Sequence, residues 1–489
     1  MAEPGREPRP PLAGDVEVDV AVLGGGIVGV AAAHHLAEAG HSVALLEART
    51  IGSGVTGNST AKLSALQGTI YSKLLSKHDA DTARAYAKLN RAGLEGAFAL
   101  AEKHSVECRL ERRPAFTYTE QASKRGQVED EAEAARTAGL DATVTAETDL
   151  PFDVAAAVRV DEQAQFDPGA WCRGVADSLA TSGVQVFEHT RATQVHGRGP
   201  GLRVATALGA EVRAGFVVVA THMPFLDRGL YFARTGTMRS YAVAGPAGGA
   251  IPQGMYLSVE SPTRSIRSFA DLDGTEHVIV GGEGHKTGFS EPAEHYRSLE
   301  ADLVERFSAG PADYRWAAHD LVPIDQLPFI GRLTPWNNRI LTATGFNKWG
   351  LAAGIAAGDA LADRVAGREG AYGKYFDTSR LNLRAALPEL VKERGSDAFR
   401  FFADRLRRNP AADPAPGEGR IVASGLEQHA VYRDDEGELH RLSARCTHVG
   451  CIVAWNPEER TWDCPCHGSR FEATGEVLQG PAVSPLARK

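Results

Sequence analysis

The sequence predicts a large α/β domain built on a parallel sheet, with an antiparallel sheet inserted into it, followed by a small all-β domain. Three observations carry that prediction. A complete strand–helix–strand unit occupies residues 18–46, short strand signals recur between residues 240 and 280, and a Pro-rich stretch at 409–419 leads into short strands bearing two Cys/His boxes. At 489 residues the chain exceeds one core, and a prior of about 100–200 residues per domain gives about three structural units. Hydrophobic residues at 43% and charged residues at 24% describe an ordinary globular chain. A formal charge of -9 without a long basic run argues against nucleic-acid binding.

Residues 1–16 are rich in Pro, Gly and Glu and lack the charged-then-apolar pattern of a secretory signal, so a disordered tail is expected there. The apolar run at 18–33 is interrupted by four glycines, and no membrane span is expected from it. Cys108 and Cys172 lie outside the two boxes and are expected to be reduced, buried thiols of a cytoplasmic protein.

Residues 18–23 read as a buried strand, Gly24, Gly26, Ile27, Val28 and Gly29 open a helix running to about residue 39, and residues 42–46 form the next strand. Gly24 permits the tight turn, Gly26 lets a pyrophosphate approach the helix N-terminus, and Gly29 allows the helix to pack closely on the strand. Glu47 ends the second strand about 20 residues on, where a carboxylate can accept both ribose hydroxyls. This is a dinucleotide site, and by itself it does not choose between NAD and FAD.

Three further segments bear on that choice. Residues 52–63, with Ser59, Thr60 and Lys62, suit a loop around a second phosphate and a flavin ring; 216–221 reads as a later strand of the same sheet; and 327–331, then 344–351, open an Ala/Gly-rich helix to about residue 366. Together these resemble the D-amino-acid oxidase superfamily of FAD enzymes, the group with glycine and sarcosine oxidases, over roughly residues 16–372. The resemblance implies an α/β FAD-binding Rossmann-type domain at 17–372 with an antiparallel-sheet substrate domain inserted at about 230–320. It also implies that Ser59, Thr60 and Lys62 join the flavin site, and that Gly345, Lys348, Trp349, Gly350 and Leu351 run along the flavin. A positive group or helix N-terminus there favours the reduced, anionic flavin. The Gly-rich stretch 281–288 has the wrong spacing for a second nucleotide site and no helical pattern follows it, so no NAD(P)H site is expected.

Strand signals at 240–244, 254–258, 264–268 and 277–280 suit an antiparallel sheet, which the resemblance makes the floor of the active site. Alternation would bring Arg239, Tyr241, Tyr256 and Arg267 to that floor. An inward Arg is a bidentate clamp for a substrate carboxylate, although Arg264 and Arg267 read equally well as solvated strand residues. His285 and His319 are candidates for proton transfer.

Residues 373–419 read as a helix, most clearly at 388–408 with Leu390, Phe399, Phe402 and Leu406, and then a semi-rigid linker. Short strands at 428–433 and 440–444 precede the boxes Cys446, His448, Cys451 and Cys464, Cys466, His467, Ser469. A 2Fe-2S cluster with one iron on two thiolates and the other on two imidazoles needs one Cys and one His from each of two loops, as Cys446 with His448 and Cys464 with His467 provide. Cys451 and Cys466 each follow a ligand by two or three residues, where a disulfide could tie the loops; closing about 15 residues is worth roughly 3 kcal/mol. Two Cys and two His also make a zinc set, but zinc frameworks usually space like ligands two to four apart.

Both boxes resemble the Rieske family over about residues 420–489, and Gly480–Pro481 looks like that family's cluster-covering proline loop. Ser469 matches a position that hydrogen-bonds cluster sulfur, and Phe471 stands where high-potential members carry a tyrosine. The resemblance therefore implies a midpoint in the middle or lower part of roughly -150 to +300 mV. The whole chain resembles FAD-dependent oxidoreductases with a C-terminal Rieske domain. Such a protein would hold FAD and one 2Fe-2S cluster, oxidise a small amine, amino acid or hydroxy acid, and pass electrons to an external acceptor such as a quinone, ferredoxin or other carrier. Two alternatives stay open: a cluster feeding electrons to the flavin for a reductive or hydroxylating reaction, and a redox-sensing electron-transfer protein.

Overall fold

A computed structural model describes residues 6–287, 292–368, 370, 372–380, 413–425 and 427–489. Strand Val16–Leu23 is central to an eight-stranded sheet, flanked in parallel by Val43–Leu46 and Glu211–Val219, with Gln185–Phe187 and Asn337–Thr344 beyond them, also parallel. Its interior run of Val20, Ala21, Val22 and Leu23 is buried on both faces, as a covered parallel strand requires. Phe329–Thr334 adds an antiparallel edge, and Ala192–His196 with Leu202–Thr206 hang from Glu211–Val219 as a hairpin.

Helices Ile27–Glu38, Ala80–Lys103 and Gly350–Val365 pack together through glycines. A Cβ at Gly93 would lie 1.7 Å from the Ala352 carbonyl oxygen, and one at Gly358 would lie 2.6 Å from the Ala32 nitrogen. These backbones therefore meet at distances only hydrogen atoms leave open.

The second sheet has nine strands, and all four strands expected between residues 240 and 280 belong to it. Its extent corrects the expectation of an insert at 230–320. Tyr314–Pro323, paired antiparallel with Thr235–Pro246, forms one edge, and Lys62–Leu63, Glu111–Thr119, Ala142–Thr145 and Ala156–Gln165 complete it, joined through the parallel pairing of Glu111–Thr119 with Met255–Ser258. Two distant chain segments thus build one floor.

The N-terminal expectation is also corrected within the described residues. Arg6 pairs with Asp177 and with the buried Glu188, both at 3.1 Å, Arg9 pairs with Asp177 at 2.7 Å, and Leu12 is buried with its N–H on Thr190 Oγ1 at 2.9 Å. Charge pairing and one apolar anchor fasten the Pro-rich tail to the domain. The helix expected at 388–408 and residues 409–412 lie outside the described residues. The C-terminal domain is a three-stranded antiparallel sheet, Gly419–Ser424, Glu427–Arg433 and Leu439–Ser443, and a four-stranded one from Ala454–Asn456 to Val477–Gln479. Its core gathers Trp462, Phe471 and Leu442 around Cys446 and Cys464. Among the described residues no helix is long and apolar enough to cross a membrane.

Candidate active site and cluster loops

The first strand ends at Gly24, whose φ of +106° turns the chain sharply; a Cβ there would lie 2.5 Å from the Ala220 carbonyl oxygen. Gly29 lets the helix settle on that turn, since its Cβ would fall 1.8 Å from the Gly24 oxygen. The helix N-terminus faces a cavity of about 1010 Å³, at the upper end of small-molecule sites, as a dinucleotide plus a substrate requires. Gly24, Gly26, Ile27, Val28 and Glu47 line one end. The Glu47 carboxylate is held there by the N–H groups of Gly25 at 2.7 Å and Arg49 at 2.8 Å. A glycine-rich turn at a helix start and a fixed carboxylate fit the pyrophosphate and ribose of FAD.

Ser59, Thr60, Lys62, Trp349, Gly350 and Leu351 line the other side of the same cavity. Gly29 and Gly345 do not line it; Gly345, at φ +71°, shapes the turn before helix Gly350–Val365. The Lys62 ammonium is spent on the Tyr256 carbonyl and on Ser265 Oγ at 2.7 Å, and burial holds its pKa well below the ordinary value. Lys348, at φ +71°, donates to Ser240 Oγ at 2.8 Å and is accessible through the cavity it lines. Desolvation lowers its pKa, and Asp320 opposes that shift. Burial in turn raises Asp320, which lines the cavity too.

Tyr241 and His285 are brought together on this wall. His285 Nδ1 lies 2.8 Å from the Lys286 carbonyl, which can only accept, so the proton sits on Nδ1 and Nε2 accepts from the Tyr241 hydroxyl at 3.1 Å. Burial raises Tyr241 to about 12 and lowers His285, so both are neutral. The His295 ring lies nearly parallel to both, 4.8 Å from Tyr241 and 4.7 Å from His285, and its Nδ1 lies 3.0 Å from Glu283.

Several expected site residues lie elsewhere. Arg267 shares the cavity face of its strand with Ser265 but lies two residues beyond the cavity, and its guanidinium donates to the carbonyls of Thr60 and Ser268. Tyr256 is turned to the opposite face by alternation from Leu257, donating to Asp149 and stacking on Phe116 at 4.6 Å. Arg264 is neither inward nor solvated, pairing with Glu283 at 2.9 Å and with Asp302. Arg239 leaves the active site altogether and pairs with Asp463 and, at 2.5 Å, with Glu459 of the C-terminal domain. His319 is buried and also turned toward that domain, while its neighbours Ala318 and Asp320 line the cavity.

His222, His295, Glu283 and Asp320 in the cavity were not singled out from the sequence. Only His222 carried a local signal, its place directly after the strand at 216–221; the others depend on which strands pair.

In the C-terminal domain Cys446 and Cys464 are buried free thiols, and the His448 and His467 rings lie 5.0 Å apart. Cys451 and Cys466 form a disulfide with Cα atoms 6.6 Å apart, so their nearness to Cys464 is no ligand set. The Cys446 thiol is held below the ordinary thiol range, first by its hydrogen bond with Cys464 and further by the His448 N–H and Ser469, against the opposing effect of burial. Ser469 Oγ also accepts the Ala482 N–H at 3.0 Å. Two convergent thiols and two imidazoles, one of each from each loop, fit a 2Fe-2S cluster of the mixed-ligand kind. The two domains share the cavity: Leu478, Gln479, Gly480, Ala482 and Val483 close it from the C-terminal side.

Residues 19–364 match the family described as FAD dependent oxidoreductase, and residues 410–488 match the Rieske [2Fe-2S] domain. YhfW of Bacillus subtilis (strain 168), whose name describes a Rieske 2Fe-2S iron-sulfur protein, is 32% identical over 481 residues, spanning 98% of this chain and 94% of its own. Among solved structures, L-proline dehydrogenase from P. horikoshii superposes with a TM-score of 0.62 at 19% identity, over 75% of this chain and 98% of its own. Glycine oxidase from Geobacillus kaustophilus does so with a TM-score of 0.60 at 19% identity, over 75% and 100%. These two share the fold of the large domain. The chain thus belongs to the FAD dependent oxidoreductases, as a member with a C-terminal Rieske domain whose cofactors are FAD and a 2Fe-2S cluster.

Proposed function

We propose that the protein is a dehydrogenase that oxidises a small amine, amino acid or hydroxy acid and delivers the electrons through the Rieske cluster to an external carrier such as a quinone or ferredoxin. The observation that carries this reading is the cavity bounded by both domains, with the flavin-fold residues on one side and residues 478–483 on the other. FAD supplies a two-electron acceptor and the 2Fe-2S cluster a one-electron outlet. The solved neighbours named for proline and glycine support an amine or amino-acid substrate.

The residues divide the remaining work. His285 Nε2, bare and hydrogen-bonded to Tyr241, accepts the substrate N–H or O–H proton through the tyrosine hydroxyl. Lys348 places the positive charge in the cavity that a substrate carboxylate or a reduced flavin needs. Its lowered pKa makes that charge dependent on the Asp320 side of the wall.

The test is anaerobic addition of amines, amino acids and hydroxy acids to the holoprotein, with flavin absorbance and the cluster's EPR signal followed together. The reading expects flavin bleaching followed by the reduced-cluster signal. A flavin that bleaches while the cluster stays oxidised would overturn it.

A further inference from the structure

Between the cavity and the cluster loops lies one side chain that the reaction above does not use. His319 sits on strand Tyr314–Pro323, 6% exposed, with Ala318 and Asp320 on either side of it facing the cavity. Its Nδ1 lies 3.1 Å from the side-chain amide of Gln479, and Gln479 itself lines the cavity from the C-terminal domain. Its ring edge meets the backbone of Gly468: a Cβ on that glycine would fall 2.0 Å from His319 Nε2. Gly468 follows the cluster ligand His467 directly. On the other side the His222 ring, itself in the cavity wall, lies 5.5 Å away in edge contact. The void beside these groups measures about 10 Å³, room for one water at most.

A leucine would fill this place without burying a bare ring nitrogen. The chain instead buries an imidazole whose Nε2 has no hydrogen-bond partner among the described residues and points it at the loop that carries a cluster ligand. An unsatisfied buried polar atom weakens the fold and calls for another reason to be there. Gly468 already needs its glycine for φ +73°, but that conformation does not require a ring against it.

We propose that His319 is the positioning residue that joins the flavin cavity to the cluster, so that electrons cross from the flavin to the Gly468–His467 loop through its ring. This rests on the electron route proposed above. Each passage removes one electron from the reduced flavin and adds one to the oxidised cluster, and the external one-electron acceptor then reoxidises the cluster. Two passages return the flavin to its oxidised form. The protons released by the flavin go to solvent, and His319 ends each passage in the redox and protonation state in which it began.

The test needs no substrate. Holoprotein is photoreduced anaerobically with a light flash in the presence of 5-deazaflavin and EDTA, and flavin absorbance and cluster EPR are followed; FAD-depleted protein gives the background of direct cluster reduction. Cluster reduction from the flavin in His319→Leu is expected to be at least tenfold slower than in the wild type. FAD content, the cluster's EPR g values and its midpoint should be unchanged, and His319→Gln, which restores a polar contact to Gln479, should recover part of the rate. Equal rates in the wild type and His319→Leu would overturn the bridge alone. A wild type whose reduced flavin never reduces the cluster would overturn the electron route itself. If His319→Leu fails to load its cluster, Gln479→Leu makes the same comparison: a slowed transfer supports the bridge, and an unchanged one overturns it.

Discussion

At the scale of single residues, Phe471 tests how the cluster is tuned. It is fully buried in the core that holds Cys446 and Cys464, and Ser469 is the hydroxyl already bonded to Cys446. Phe471→Tyr adds a second hydroxyl, which stabilises the more negative reduced cluster by about 1.5 kcal/mol, on the order of 60 mV for one electron. Redox titration should therefore show a higher midpoint, and an unchanged or lower one would show that the ring does not reach the sulfur. His34 tests acid stability in the same local way. Burial, then the neighbouring His35 and His104, lowers it from 6.5 to about 4, and its Nδ1 lies 2.9 Å from His104 Nε2. The folded-state value is the lower one, so above pH 6.5 neither state binds the proton and His34 costs nothing. As pH falls from 6.5 toward 4 the unfolded chain takes a proton the folded chain refuses, and stability drops by up to about 3 kcal/mol. His34→Gln should flatten the decline of the urea midpoint between pH 7 and pH 5; a slope identical to the wild type would exclude this histidine as its source.

At the scale of elements, the three glycine-packed helices set local propensity against tertiary contact. Alanine in place of a mid-helix glycine gains about 1 kcal/mol in an isolated helix. At Gly93 the new Cβ would meet the Ala352 carbonyl at 1.7 Å, and overpacking a tight contact costs about 1–3 kcal/mol. Gly93→Ala should therefore lower the urea midpoint, and a raised midpoint would mean that the helices can part without loss. The same contrast marks what could be read from the sequence. The first strand–helix–strand unit was legible because its signals lie within 30 residues and each glycine has a local reason. The four strands between residues 240 and 280 were legible from their composition, but their partner Glu111–Thr119 was not, since its parallel pairing with Met255–Ser258 spans a gap in sequence of some 140 residues. Tyr241 and Tyr256 illustrate the limit: both sit on strands found from sequence, and only the register decides that one faces the cavity and the other Asp149. The cluster loops were legible for the opposite reason, because all six of their Cys and His residues lie within 22 positions and bring their own geometry.

At the scale of the whole molecule, the central question is what holds the Rieske domain against the flavin domain. Arg239, 7% exposed, reaches from the large domain to Glu459 and Asp463, and Arg470 of the small domain bonds the same two carboxylates. Burial raises the Asp463 carboxyl, but the guanidiniums of Arg470 and Arg239 outweigh it, and Thr461 and Asn456 add hydrogen bonds, so the group is held well below the ordinary carboxylate range. With its folded value depressed, this contribution is intact above about pH 4 and is lost only in stronger acid. Arg239→Ala would leave one guanidinium facing two carboxylates in a desolvated boundary, and removing a partner from a buried ion pair costs roughly 3 kcal/mol. Because the Arg239 pairs with Glu459 and Asp463 run from one domain to the other, the loss falls on docking rather than on either domain. Calorimetry should then resolve a single transition into two, and limited proteolysis should separate the domains faster while the flavin and cluster spectra persist. Arg239→Lys keeps the charge but not the two-pronged fork, so it should hold one carboxylate and give an intermediate separation rate. An Arg239→Ala protein that unfolds in one transition at the wild-type temperature would show instead that the contacts of Gln479 and Arg191 suffice, the latter donating to the Val477 carbonyl at 2.7 Å.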